Sequence, residues 1–282
     1  MWGLLTPMSI NRRHFLWAGV LFSMTACAQA QSWAWSGLSG PMVPLPASPA
    51  QSSLLNGLVS YWKLDETGTG TRYDAVTSST NDLTPLFSAY RVAGKIGGAS
   101  YFYAAANYRG IRHASNASLQ AGTNFTLSFW ILSNNSEYLS GVITKALSYF
   151  YHGNNGEWRV SLTGYDLTFQ VRNAANSAWQ TLTVSSALTP ATWNHVLAWY
   201  SPTDAKIWLR VNNGTAVSAT AADGSYVAEY KFCVGGEDDD ADAFCLDNSR
   251  LDEVGYWKGR DLTAGEQDAL WNGGTGVTYP FQ

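Results

Sequence analysis

Charge is scarce in this chain of 282 residues: Asp, Glu, Lys and Arg together supply 13% of it, and the formal net charge is −4. With no clustered basic face, nucleic acid and anionic membrane surfaces drop out as expected partners. Cysteine is nearly absent, three residues in all, so no dense disulfide framework organises the fold. No helical periodicity appears before Thr263, and the only sustained apolar run, Leu16 to Ala26, is short for a membrane span. Also missing are a phosphate-cradling glycine loop, a zinc motif and a serine triad.

What is present is aromatic and strand-forming. Hydrophobic residues make up 46% of the chain and aromatic ones 14%, including 13 Trp and 15 Tyr. Together with abundant Gly, Ser, Thr and Asn, this composition favours pleated strands and tight turns. From Gly57 onward, short alternating runs follow one another, among them LVSYWKL (58–64), FTLSFWIL (125–132), EWRVSLT (157–163), WNHVLAWY (193–200) and RLDEVGYW (250–257). Turn chemistry at Asn154-Asn155-Gly156, Asn212-Asn213-Gly214 and Asp223-Gly224 separates several of them. So many antiparallel strands must bury their apolar faces against one another, which predicts an all-β fold of two stacked sheets. One short helix closes the chain: Thr263 and Glu266 form a capping box, and Gly273-Gly274 offers a left-handed end.

The first thirty residues read as an export signal. Arg12-Arg13 gives a positive flank, an apolar stretch follows, and Ala28-Gln29-Ala30 fits a small-x-small cleavage site. The arginine pair also resembles a twin-arginine signal, with Met1 or Met8 as the start. Cys27 after Met24-Thr25-Ala26 offers a second reading, lipid anchoring at that cysteine. Residues 31–56 are Pro-, Ser- and Ala-rich and read as an unstructured linker. Cys233 and Cys245 are then the remaining cysteines, and in an oxidising compartment their spacing suits a disulfide between neighbouring strands; two buried thiols are the alternative.

The opening GLVSYWKLDETGTGTRYDAVTSSTNDLT, the central FTLSFWI and TPATWNHVLAWY, and the closing LDEVGYWKGRDLTAGEQDALWNGG occur in the order of three landmarks of a known group. Residues 57–282, about four fifths of the chain, resemble the concanavalin A-like, laminin-G-like jelly rolls, a group that includes pentraxin-type folds. The resemblance implies a two-sheet antiparallel jelly-roll sandwich whose first strand pairs with its last. That pairing would bring Leu64-Asp65-Glu66 close to Leu251-Asp252-Glu253. It also implies a structural Ca²⁺ near this junction, with Asp74 and Asp252 as ligands; the alternative is that Asp252 and Glu253 satisfy backbone donors and pair with Arg250 or Lys258, with no metal.

For function, the fold alone decides little. The Glu-x-Asp-x-Glu strand of sandwich glycosidases is absent, and neighbouring residues on a regular strand point to opposite faces, so Asp252 and Glu253 are not expected to act as a facing acid/base pair. No catalytic residue is assigned, and His195 within WNHVLAWY reads as structural. The acidic stretch Glu237 to Asp242 reads as a solvated hairpin tip. Sugar binding calls for aromatic platforms beside amides, and Tyr149, Tyr151, His152, Asn154 and Trp158 form the candidate set, with Trp179 on a neighbouring strand. The expected protein is thus an exported, non-catalytic recognition or adhesion module for carbohydrate or another cell-surface ligand, or else a surface-display domain making protein contacts. A polysaccharide-cleaving enzyme is the remaining alternative.

Overall fold

The computed structural model describes residues 48–86, 89–103, 110–134, 139–147, 155–237 and 245–282. The alternating runs form strands β1 (Leu58–Trp62), β2 (Thr84–Pro85), β3 (Tyr90–Ala93), β4 (Gly98–Phe102), β5 (Ile111–His113), β6 (Phe125–Ser133), β7 (Ser140–Ala146) and β8 (Gly156–Thr163). These are followed by β9 (Asp166–Arg172), β10 (Trp179–Val184), β11 (Trp193–Ser201), β12 (Lys206–Val211), β13 (Val217–Thr220), β14 (Phe232–Val234) and β15 (Ser249–Lys258). Helix α1 (Pro49–Ser53) precedes the first strand and α2 (Ala264–Trp271) follows the last.

The strands make two antiparallel sheets, as a jelly-roll sandwich requires. The larger runs β13-β12-β11-β6-β15-β4-β3 with β1 also paired to β15, and the smaller runs β10-β9-β8-β7-β14-β5-β2. The first strand pairs with the last as the resemblance implied, Leu58 opposite Trp257 and Trp62 opposite Val254. Period-two alternation decides what lies between the sheets. Phe125, Leu127, Phe129 and Ile131 of β6 face inward against Trp158, Val160 and Leu162 of β8. Trp158 lies fully buried among Phe125, Phe232 and Tyr256, with ring centroids 5.5 to 6.2 Å away. Burying large aromatic side chains in this way supplies much of the driving force for closing the sandwich.

A second apolar layer covers the outer face of the larger sheet. Tyr61, Leu197, Trp199 and Trp257 project outward there and meet Leu262 and Leu270 from around α2, together with Val277 and Phe281. Thr263 caps α2 through the expected box with Glu266, and the helix ends at Asn272, which takes the left-handed conformation ahead of the two glycines. Arg260 pairs with Glu266, whose other oxygen accepts from Ser53 Oγ at 2.7 Å.

That last bond corrects the linker boundary. Residues 48–56 are not a structureless spacer: Ser48 caps α1, Leu54 is fully buried in the outer layer, and its carbonyl accepts from Trp257 Nε1 at 2.7 Å. Low charge and small residues suggested a flexible stalk, but one apolar side chain placed over an indole anchors the segment. The cysteine pairing is corrected as well. Cys233 and Cys245 are not bridged to each other. Cys233 sits opposite Thr144 and Cys245 opposite Gly141 along β7. Three residues of strand separate those positions, roughly 10 Å, beyond the reach of a disulfide.

Leu54→Ala is expected to cost about 2–5 kcal/mol in urea unfolding, while Leu55→Ala, at a side chain 46% exposed, changes stability by about 0.5 kcal/mol or less.

Candidate functional site

The carboxylates at the junction of the chain ends are positioned by a fork in the larger sheet. Along one edge β15 pairs with β6; along the other it pairs first with β4, through residues 249–251, and then with β1, through 254–257. Between the two partners the register slips, and Glu253 takes φ 51. This is a β-bulge, one extra residue in one strand. Leu251 and Val254 both belong to the inner core, so Asp252 and Glu253 between them share the outer face. The expectation that strand alternation sends them to opposite faces is therefore wrong, because that rule holds only for an unbulged strand.

Sharing a face does not make the pair a catalytic couple. Asp252 is fully buried and Glu253 is 2% exposed, under the outer apolar layer. Asp252 Oδ2 accepts from the Lys95 and Ile96 amides at 2.7 and 3.0 Å, seating the turn between β3 and β4. Asp65 Oδ1 holds the same turn through the Gly98 amide at 2.5 Å. The hydroxyls of Tyr61 and Thr278 lie beside Glu253, but neither of its carboxyl oxygens has a hydrogen bond of ordinary geometry among the described residues. Burial pushes the Asp252 carboxyl up to about 8, against the two backbone donors that favour its charged form. Burial likewise raises Glu253 to about 7.

Asp74 serves another turn. Its Oδ1 accepts from the Tyr61 and Val76 amides, both at 3.0 Å. No group of three or more acidic, histidine or cysteine side chains is placed to hold a metal among the described residues. Asp252 Oδ1, Asp74 Oδ2 and both Glu253 oxygens are among the buried carboxylate oxygens without a hydrogen-bond donor in the described residues. His195, as read from the sequence, is interior: Nε2 lies 2.9 Å from Ser128 Oγ, the ring tilts against Trp130, and burial followed by the Arg210 charge holds it down at about 3.

Of the candidate sugar-binding set, Tyr149, Tyr151, His152 and Asn154 lie outside the described residues, as do Cys27 and Asp238 to Asp242. Trp158 is corrected outright, since both faces of its indole are in the core. Its neighbour on the strand is the better candidate. With Trp158, Val160 and Leu162 inward, Arg159 points outward. Gln170 and Arg172 of β9, flanked by the inward Phe169 and Val171, point the same way, and so do Trp179 and Thr181 of β10, on the face opposite Leu182.

A polar row crosses this outer face of the smaller sheet. Arg159 Nε donates to Gln170 Oε1 at 2.6 Å, and Gln170 Nε2 donates to Thr181 Oγ1 at 2.8 Å. The Arg159 and Arg172 guanidinium carbons lie 4.6 and 5.3 Å from the centre of the half-buried Trp179 ring. Thr168 and Thr183 hydroxyls, 2.9 Å apart, extend the polar surface on the next register position. An aromatic ring held flat by cations, beside amides and hydroxyls, can stack on a sugar face and order its hydroxyls. The alternation Glu157-Trp158-Arg159-Val160-Ser161-Leu162 carried this information in the sequence.

The family described as the concanavalin A-like lectin/glucanases superfamily, of laminin G type, matches residues 105–266. Among solved structures, the binding domain of Paraclostridial mosquitocidal protein 1 superposes with a TM-score of 0.58 at 15% identity, over 77% of this chain and 52% of that one. The botulinum neurotoxin serotype D ligand-binding domain in complex with N-acetylneuraminic acid gives 0.58 at 14% identity, over 79% and 52%. Trypanosoma rangeli sialidase in complex with sialic acid gives 0.56 at 14% identity, over 86% and 37%. The chain thus spans about half the length of the two toxin structures and less of the sialidase. Such identities carry the fold alone. No curated protein matches the chain.

The raised carboxyls fix a pH dependence. Asp252 and Glu253 bind protons more tightly folded than unfolded, so their contribution is complete below the ordinary carboxylate range, about pH 4, and is lost as pH rises through about 7 to 8. In EDTA, the melting temperature is expected to fall between pH 5 and pH 8.5, approximately, and the Asp252→Asn and Glu253→Gln variants should flatten the profile. Equal slopes in wild type and both variants would remove the pair as its cause.

Proposed function

The chain belongs to the concanavalin A-like lectin/glucanases superfamily, and from that membership we propose that it is an exported, non-catalytic recognition module that binds carbohydrate through the outer face of its smaller sheet. The observation carrying this reading is the Trp179 ring braced by Arg159 and Arg172 beside Gln170 and Thr181. Uncharged donors and acceptors orient hydroxyls and the indole takes the C–H face of a pyranose, while the guanidinium groups of Arg159 and Arg172, 1% and 9% exposed, hold the indole in place. Two solved structures that share this fold over 52% and 37% of their own length are complexes with sialic acid.

The absence of catalysis is supported by where the acids lie. The paired carboxylates Asp252 and Glu253 are closed off beneath α2 and the C-terminal segment, out of a polysaccharide's reach. Export rests on the sequence of residues 1–30, and no helix among the described residues is long and apolar enough to cross a membrane.

A structural calcium ion belongs to the proposal at the fork, where Asp252 Oδ1 and the Glu253 carboxylate are buried oxygens that lack donors among the described residues; Asp74, bonded to the Tyr61 and Val76 amides, does not join them in a group of three carboxylates. Hard carboxylate oxygens of this kind suit Ca²⁺. Proton and cation compete for the same oxygens, so added calcium should raise the melting temperature more at pH 8 than at pH 5, and Asp252→Asn should remove the difference. No calcium response at pH 8 would contradict the ion.

The binding reading is tested on a glycan array with wild type and Trp179→Ala. Binding to a defined set of saccharides, weakened about tenfold or more in the variant, as expected for loss of a stacking contact worth roughly 1.4 kcal/mol, supports it. A protein that binds no saccharide contradicts it and favours a surface-display role.

A further inference from the structure

A second aromatic surface lies on the other sheet. Tyr90 of edge strand β3 is directly opposite Tyr101 of β4, and Tyr101 is directly opposite Arg250 of β15. The three therefore form one cross-strand row on a common face. Phe102 and Leu251, their neighbours along β4 and β15, are in the inner core, so the row faces outward.

Tyr103, one alternation further along, extends the row into a platform. Its ring is stacked with that of Tyr101, centroids 6.2 Å apart and planes 21° from parallel. The Tyr101 hydroxyl donates to Asn248 Oδ1 at 2.9 Å, which fixes the ring. Tyr90 and Tyr103 are 54% and 51% exposed. The outer apolar layer that buries Trp199 and Trp257 includes none of these tyrosines. Arg250 is half-buried, and its Nε has no hydrogen-bond partner among the described residues.

Two exposed phenol rings, a fixed third ring, an amide and a guanidinium make a poor docking face for an apolar protein surface, because the row ends in a cation. They suit a saccharide, whose apolar ring faces stack on the tyrosines while its acidic substituent meets the arginine. From Tyr90 to Arg250 the row spans two strand spacings, roughly 10 Å, room for a disaccharide. We propose that the Tyr90-Tyr101-Arg250 row with Tyr103 is a second saccharide-binding site, specific for carboxylated sugars. This rests on the carbohydrate-binding reading above and adds to it a separate site on the opposite side of the sandwich, so that one molecule can bridge two polysaccharide chains.

The test is calorimetric titration of the full chain with an alginate hexasaccharide, a chain of uronates, and with neutral cellohexaose. Alginate binding weakened about tenfold in Tyr90→Ala and Tyr103→Ala, retained in Tyr90→Phe, and still detectable in Trp179→Ala supports the second site. Arg250→Gln should bring alginate affinity down to that for cellohexaose. Alginate affinity unchanged in both tyrosine-to-alanine variants, or cellohexaose bound as tightly as alginate by wild type, overturns it. If Trp179→Ala alone abolishes all binding, the carbohydrate reading stands and this site falls. If wild type binds no saccharide, that reading fails first.

Discussion

The forked pairing of β15 is the constraint on which the rest of the molecule depends. A single strand holds β6 on one edge and two different partners, β4 and β1, on the other, so the beginning and the end of the domain are joined through one backbone. The bulge between the partners costs local strain, visible as the left-handed Glu253. It is held by the turn that fits beneath it. At Gly94 an added Cβ would lie 2.6 Å from Asp252 Oδ2, and at Gly97, with φ 63, it would lie 2.4 Å from Asp65 Oδ1. Only a turn without side chains at those positions can approach the two carboxylates closely enough to donate its amides to them.

This arrangement separates structure from recognition. The buried acids Asp252 and Glu253 are used to close the sandwich, beneath the outer apolar layer of α2 and the C-terminal segment. Perturbed carboxyls often mark active sites, but here burial raises both, opposed at Asp252 by the Lys95 and Ile96 amides. The surfaces proposed for a ligand are the polar face of the smaller sheet around Trp179 and the tyrosine row at the edge of the larger sheet. Both are built on strands, whose cross-strand hydrogen bonds and ring contacts fix the side chains before any ligand arrives, which lowers the entropic cost of binding.

Much of the fold was legible in the sequence because it depends on alternation and capping, both local. FTLSFWIL and WNHVLAWY become central strands of the larger sheet, and Thr263 with Glu266 caps the helix as the spacing predicts. The bulge was not legible, since one extra residue leaves the composition of RLDEVGYW unchanged while turning Asp252 and Glu253 to the same side. Register was hidden for the same reason, and the absence of a bridge between Cys233 and Cys245 follows from their positions along β7 rather than from their spacing in the chain. The candidate site was half legible. Trp158 was picked for its type, although the pattern Trp158, Val160, Leu162 marks the inner face; the outward Arg159 becomes informative only when Gln170, Arg172 and Trp179 are seen to lie beside it.

The central claim, saccharide recognition on the outer face of the smaller sheet, is tested most directly by following tryptophan indole N–H signals by NMR during titration with a saccharide that the chain binds, with Trp179 assigned by Trp179→Phe. The account predicts that the Trp179 signal shifts with saturation while those of the buried Trp62, Trp158 and Trp257 stay in place. Saturable binding that leaves Trp179 unmoved would contradict it.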